Sequence, residues 1–218
     1  MNFVIYNCVF SRINTPEIFI NGINNGTTDT ISGTAFIGGK ITFDGSSGWS
    51  TTPIAAHEYT LMYGTDAGIN ESVVNNYWGT SDSIKIQNYV YDFWDNASLA
   101  IANYSPFLST PSDDAHGFLW KVTINDKDVQ DEQFDPVGVE QLKFIAYFNR
   151  AMDTTNTPFL SFGLREPFTQ NVVHENASWS ADSTIWTAYF DIDNRIEDGI
   201  NYIRVSGAID DDGFEILC

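Results

Sequence analysis

The sequence predicts an all-β fold in two units, and three observations carry the prediction. Short β-branched and aromatic runs recur between Asn/Gly turns through the first third of the chain. After about residue 117 the apolar residues alternate with period two, as strands with one buried face do. Charged residues make up only 18% of the 218, so Asn, Ser, Thr and Gly must supply the polar surface. Those residue types favour turns, because Asn and Gly accept positive φ and Ser and Thr bond to nearby backbone.

The elements follow in order. Phe3-Val4-Ile5-Tyr6, Ile18-Phe19-Ile20, Ala35-Phe36-Ile37 and Ile41-Thr42-Phe43 read as strands. The turns between them include Asn21-Gly22, Gly38-Gly39 and Asp44-Gly45, at irregular spacing. Residues 82–93 differ: Ile86, Tyr89, Val90 and Phe93 fall at i, i+3, i+4 and i+7, one face of a short helix. Asp82 or Ser83 can cap its start. Residues 109–116, with Pro111 and a polar run, form the expected linker between a first domain (1–108) and a second (117–218). In the second, strands are expected near 118–125, 140–148, 159–164, 184–192 and 200–208. Leu142, Phe144, Ala146 and Phe148 share one face, as do Trp186, Ala188, Phe190 and Ile192. The expectation is an antiparallel β-sandwich of roughly seven strands.

Charge and cysteine content narrow the function classes. A formal net charge of -19 repels phosphate backbones and anionic lipid, so a nucleic-acid partner is not expected. No apolar run is long enough for membrane insertion. Cys8 and Cys218 lie at opposite ends and read as two thiols. No leader-like segment precedes the first strand. The expectation is an internal piece of a longer exported chain, located outside the cell or at its surface, whose secretion signal lies upstream.

Two segments carry family resemblances. Asn75-Asn76-Tyr77-Trp78-Gly79-Thr80, followed by the Ile86–Phe93 stretch and by Ala100–Leu108, resembles the closing rungs and cap of right-handed parallel β-helix proteins of the pectate-lyase-like fold. The resemblance implies stacked coils with Asn75 and Asn76 at a coil corner. Trp78 would fill the end of the core beside Gly79, and a capping helix would present Ile86, Val90 and Phe93 as a lid. Phe148-Asn149-Arg150-Ala151-Met152-Asp153, with Tyr202–Gly213, resembles bacterial Ig-like domains. It implies an Ig-like sandwich over about 117–216, with Phe148, Met152 and Asp153 as structural positions. Together these imply a truncated parallel β-helix with a short capping helix, then an Ig-like sandwich.

Candidate chemistry is sparse. Residues 1–110 hold three basic side chains (Arg12, Lys40, Lys85) against nine acidic ones, without an Asp/Arg set at coil spacing for a lyase. Asp92 and Asp95 are close in sequence, and they read as solvated charges at the helix end. His57, His116 and His174 have no zinc spacing. No catalytic residue is assigned. Two acidic clusters, Asp191/Asp193/Asp198 and Asp210/Asp211/Asp212, could offer oxygens to Ca²⁺, although neither fits the EF-hand frame; the competing reading is solvated turns. No other cofactor is expected. Trp49, in a polar Gly/Ser loop, is the best candidate for stacking on sugar. The expected function is a non-catalytic structural or carbohydrate-associated module, with polysaccharide and the parent chain's other domains as partners. The alternatives are an enzyme fragment, its site on coils outside this sequence, and an adhesin.

Overall fold

The computed structural model describes residues 4–6, 9–11, 18–19, 30–32, 35–37, 41–42, 61–62, 70–94, 97, 101–129 and 135–216. It is almost entirely β and divides into two compact units, Met1–Ala115 and His116–Cys218.

The first unit contains β1 (Val4–Tyr6), β2 (Val9–Ser11), β3 (Ile18–Phe19), β4 (Thr30–Ser32), β5 (Ala35–Ile37), β6 (Ile41–Thr42), β7 (Leu61–Met62) and β8 (Asn70–Ser72). It continues with α1 (Ser83–Tyr89), β9 (Val90–Tyr91) and β10 (Ile101–Asn103). The runs expected at 3–6, 18–20, 35–37 and 41–43 all contain strands. Among the described residues every strand pair of this unit is parallel. One sheet runs β1-β4-β8-β10, another β3-β6-β7-β9, and β2 pairs with β5. Paired residues lie 20 (Ile41↔Leu61) to 42 (Thr30↔Ser72) positions apart in sequence, as parallel pairing requires a crossover between partners.

The helix corrects the sequence reading. Asp82 caps it as expected, its carboxylate accepting from the Ile84 N–H at 2.9 Å. It ends at Tyr89, however, not near Phe93. Val90 turns to extended geometry (φ −109, ψ 120) and pairs with Leu61. A β-branched residue gains more from ladder hydrogen bonds and flat packing than from a further helical turn. Ile86 and Val90 are both buried, Val90 from a strand, and Phe93 is only half-buried.

The second unit has β11 (Leu119–Ile124), β12 (Lys127–Asp128), β13 (Gln141–Phe148), β14 (Phe159–Gly163), β15 (Asn171–Val173), β16 (Glu175–Trp179), β17 (Ile185–Asp191) and β18 (Tyr202–Ser206). All its pairs are antiparallel, in a five-stranded sheet β12-β11-β13-β17-β16 and a three-stranded sheet β15-β14-β18. The five expected strands are present; β12 and β15 are too short to show alternation, and β16 is exposed along most of its length.

The two sheets share one core. Leu142, Phe144, Ala146 and Phe148 line β13 and are all buried. Their partners on β17 complement them in size: Phe144 faces Ala188 and Ala146 faces Trp186. Large thus opposes small, which fills the layer at interior density. From the other sheet Phe162 stacks on Phe144 (centroids 5.8 Å apart, planes 15°) and meets Phe190 edge-on at 5.0 Å. Each such buried side chain contributes about 1.5–3 kcal/mol of burial.

Candidate functional site

The most highly organised polar constellation lies where two of the singled-out segments meet. After β13 the chain forms Asn149–Asp153, and after β18 it forms Gly207–Gly213. Met152 bridges Asp210 in antiparallel fashion, and the Asp153 N–H donates to the Ile209 carbonyl at 2.8 Å. The two stretches that resemble Ig-like domains are therefore bound to each other directly.

Asp210 sits at the centre, only 1% exposed. Its Oδ1 accepts from the N–H groups of Phe214 (2.8 Å) and Asp212 (3.0 Å), which closes the turn. Its Oδ2 accepts from the N–H of Gly117 at 2.8 Å, 93 residues away in sequence. Arg150 lies alongside, with Nη1 2.8 Å from Asp212 Oδ2 and 3.9 Å from Asp210 Oδ2. Burial works against the charge on Asp210. The three N–H donors and the arginine outweigh it and hold the carboxyl below its ordinary value. Gly117 is confined: a Cβ there would stand 2.6 Å from Asp210 Cβ and 3.1 Å from Met152 Sδ. Gly213 supplies the left-handed residue of the turn (φ 88).

Asp153, half-buried, organises the neighbouring turn. Its Oδ1 accepts from the Thr155 hydroxyl (2.7 Å) and N–H (2.9 Å), and its Oδ2 from Asn156 Nδ2 (2.6 Å). The Thr155 hydroxyl first, then its N–H, hold the Asp153 carboxyl low. Met152 is 1% exposed and Phe148 3%.

In the Asp210/Asp211/Asp212 cluster the carboxylates are partly engaged within the chain. Asp210 spends its oxygens on backbone donors, Asp212 on Arg150, and Asp211 is exposed. In the other cluster Asp191 accepts from Gln141 Nε2 at 2.8 Å, Asp193 is paired with Arg195, and Asp198 is exposed. Among the described residues no three His, Cys, Asp or Glu side chains come together as a metal site. Asp193 and Asp210 each accept from backbone N–H groups of their own turns.

In the first unit, the Val73–Gly79 stretch is sewn to 103–108. The Val73 N–H donates to Asn103 O (2.9 Å), Asn75 N–H to Pro106 O (2.6 Å), and Leu108 N–H to Asn76 O (2.9 Å). Asn75 takes the left-handed corner (φ 59) and is exposed, whereas Asn76 is fully buried and donates its amide to Val73 O at 2.8 Å. Of the two expected corner amides, only Asn76 turns inward. Trp78 is 2% exposed, in the core as expected, and Gly79 has φ 76.

Asp92 departs from its expected role as a solvated charge. It is 4% exposed and accepts from the N–H groups of Trp94 (3.0 Å) and Ala102 (2.9 Å). Asp95 and Trp49 lie outside the described residues. Trp94, by contrast, is 74% exposed, with Phe93 against it edge-on at 5.5 Å.

No helix of the described residues is long and apolar enough to cross a membrane. No protein-family model, curated protein or solved structure matches this chain.

Proposed function

We propose that the chain is a non-catalytic structural module of a larger exported protein. In this reading the first unit is the end of a right-handed parallel β-helix and the second an Ig-like spacer. The observation that carries it is the set of parallel ladders in the first unit, in which strands far apart in sequence lie side by side, as stacked coils require. The second unit supports the spacer role through its single core and the Asp210 tie between its opposite ends. Its buried and half-buried acids hold backbone N–H groups, which suits rigidity better than proton transfer. Incubation with pectin or alginate should release no unsaturated or reducing-end products. Formation of either product overturns the reading.

Association with carbohydrate is a second element of the proposal, favoured by Trp94. An indole 74% exposed beside a second ring offers an apolar platform of the kind on which a pyranose face can stack. The chain should be retarded in native gels containing the cognate polysaccharide, and Trp94→Ala should abolish the retardation. Equal migration of both proteins across a panel of polysaccharides refutes this element.

A further inference from the structure

The second unit exposes four sheet edges, and three of them are blunted. β12 has only two residues, Lys127 and Asp128, both ion-paired, to Asp135 and Lys121. β15 has three residues. β16 shifts register between Glu175 and Ser178, with Asn176 at φ 48. Short strands, charges and bulges are the devices by which sheets avoid pairing with other chains. The fourth edge, β18, is five residues long and runs without a register shift, and its one charged residue is Arg204. All five of its residues pair regularly with β14, from Phe159↔Ser206 to Gly163↔Tyr202. Among the described residues its second side has no strand neighbour.

A groove of about 500 Å³ includes Ile203, Arg204 and Val205 of this strand, together with Glu166, Pro167 and Phe168. Phe168 also contacts Tyr202, with rings 5.0 Å apart. Tyr202 is 56% exposed. Arg204 is half-buried. Every other Lys and Arg among the described residues of this unit has a carboxylate partner within 4 Å. Among the described residues Arg204 has none, in a chain of net charge -19. An arginine left open in so acidic a protein is a specific vacancy for a carboxylate.

We infer that β18 is a docking edge for an extended peptide segment that adds to the sheet as a strand and sets one acidic side chain against Arg204. Main-chain hydrogen bonds supply the attachment and alternate side chains the selectivity. The residue opposite Arg204 shares its face of the sheet, so the acid lies there and an apolar residue two positions away meets Tyr202. The residues flanking the acid point the other way, toward Ile203 and Val205, and are apolar. A second copy of the chain is disfavoured as the occupant. Two such acidic bodies repel, and symmetric pairing centred on Arg204 sets arginine against arginine.

The test is to pan a displayed library of random peptides against the full chain, then titrate a selected peptide by fluorescence anisotropy. Enrichment of a single Asp or Glu between apolar residues is expected. Arg204→Met, which keeps the stem and removes the charge, should weaken binding at least tenfold. Arg204→Glu should redirect selection to Lys at that position. If Arg204→Glu does not fold, as judged by circular dichroism, Arg204→Met carries the test. N-methylation of the peptide backbone along the pairing edge should also abolish binding. Absence of enrichment, an unchanged titration with Arg204→Met, or equal binding by the N-methylated peptide each overturns the inference. So does concentration-dependent dimerisation lost in the Arg204 variants, or a glycan displacing the peptide.

Discussion

Asp210 shows how much one side chain can organise. It accepts from three backbone donors, of which the Gly117 N–H is buried and those of Asp212 and Phe214 are part-buried. Asp210→Asn puts an NH₂ where an acceptor is needed. It should cost about 2 kcal/mol, as expected for buried donors left unpaired, measured as a lower urea midpoint with an unchanged slope. The pH dependence has a definite sign. The folded carboxyl lies below its ordinary value, so its contribution is fully present above the ordinary aspartate value of about 3.9. It is lost as pH falls from there through the folded value. Asp210→Asn should therefore flatten the acid limb of the stability curve. Ser161 gives the opposite sign: its hydroxyl is fully buried without a hydrogen-bond partner. Ser161→Ala should be neutral or stabilising by about 1 kcal/mol in the same titration. Sequence disclosed little at this scale. Asp210 stands in a run of three aspartates, and nothing local tells the buried one from its exposed neighbours, because its third donor, Gly117, comes from the far end of the unit. Asp92 reads as solvated for the same reason, since its partner Ala102 lies beyond any local pattern.

At the scale of elements, legibility followed strand length. β13 and β17 were plain because seven or eight residues give several turns of alternation, and their buried faces are the ones the pattern marked. Strands of two or three residues offer no period to detect. Spacing reveals the helix but not its end, because Val90 continues the helical spacing of Ile86 and Tyr89 while its backbone joins a ladder. Spacing reports which side chains face inward, not which hydrogen bonds the main chain makes. The inward face is testable. Ile86 is 0% exposed and Ile84 on the same helix 70%. Ile86→Ala should lower stability by about 3 kcal/mol, and Ile84→Ala by no more than about 0.5 kcal/mol, by thermal unfolding of each variant.

At the scale of the molecule, the change of pattern near residue 110 marked the passage from parallel to antiparallel pairing. Ladders of the first kind require crossovers, and those of the second need only turns. Two units with separate pairing schemes predict separate melting. Scanning calorimetry should resolve two transitions, and Gly117→Ala, whose methyl collides with Asp210 and Met152, should lower only one of them. The 93-residue span between Gly117 and Asp210 also bears on biosynthesis. A ribosome delivers Gly117 long before the carboxylate that holds it. The unit must wait, with β11 and β13 already emerged, until its last strand has left the exit tunnel, and during that interval apolar faces such as that of Phe144 stand open to chaperones.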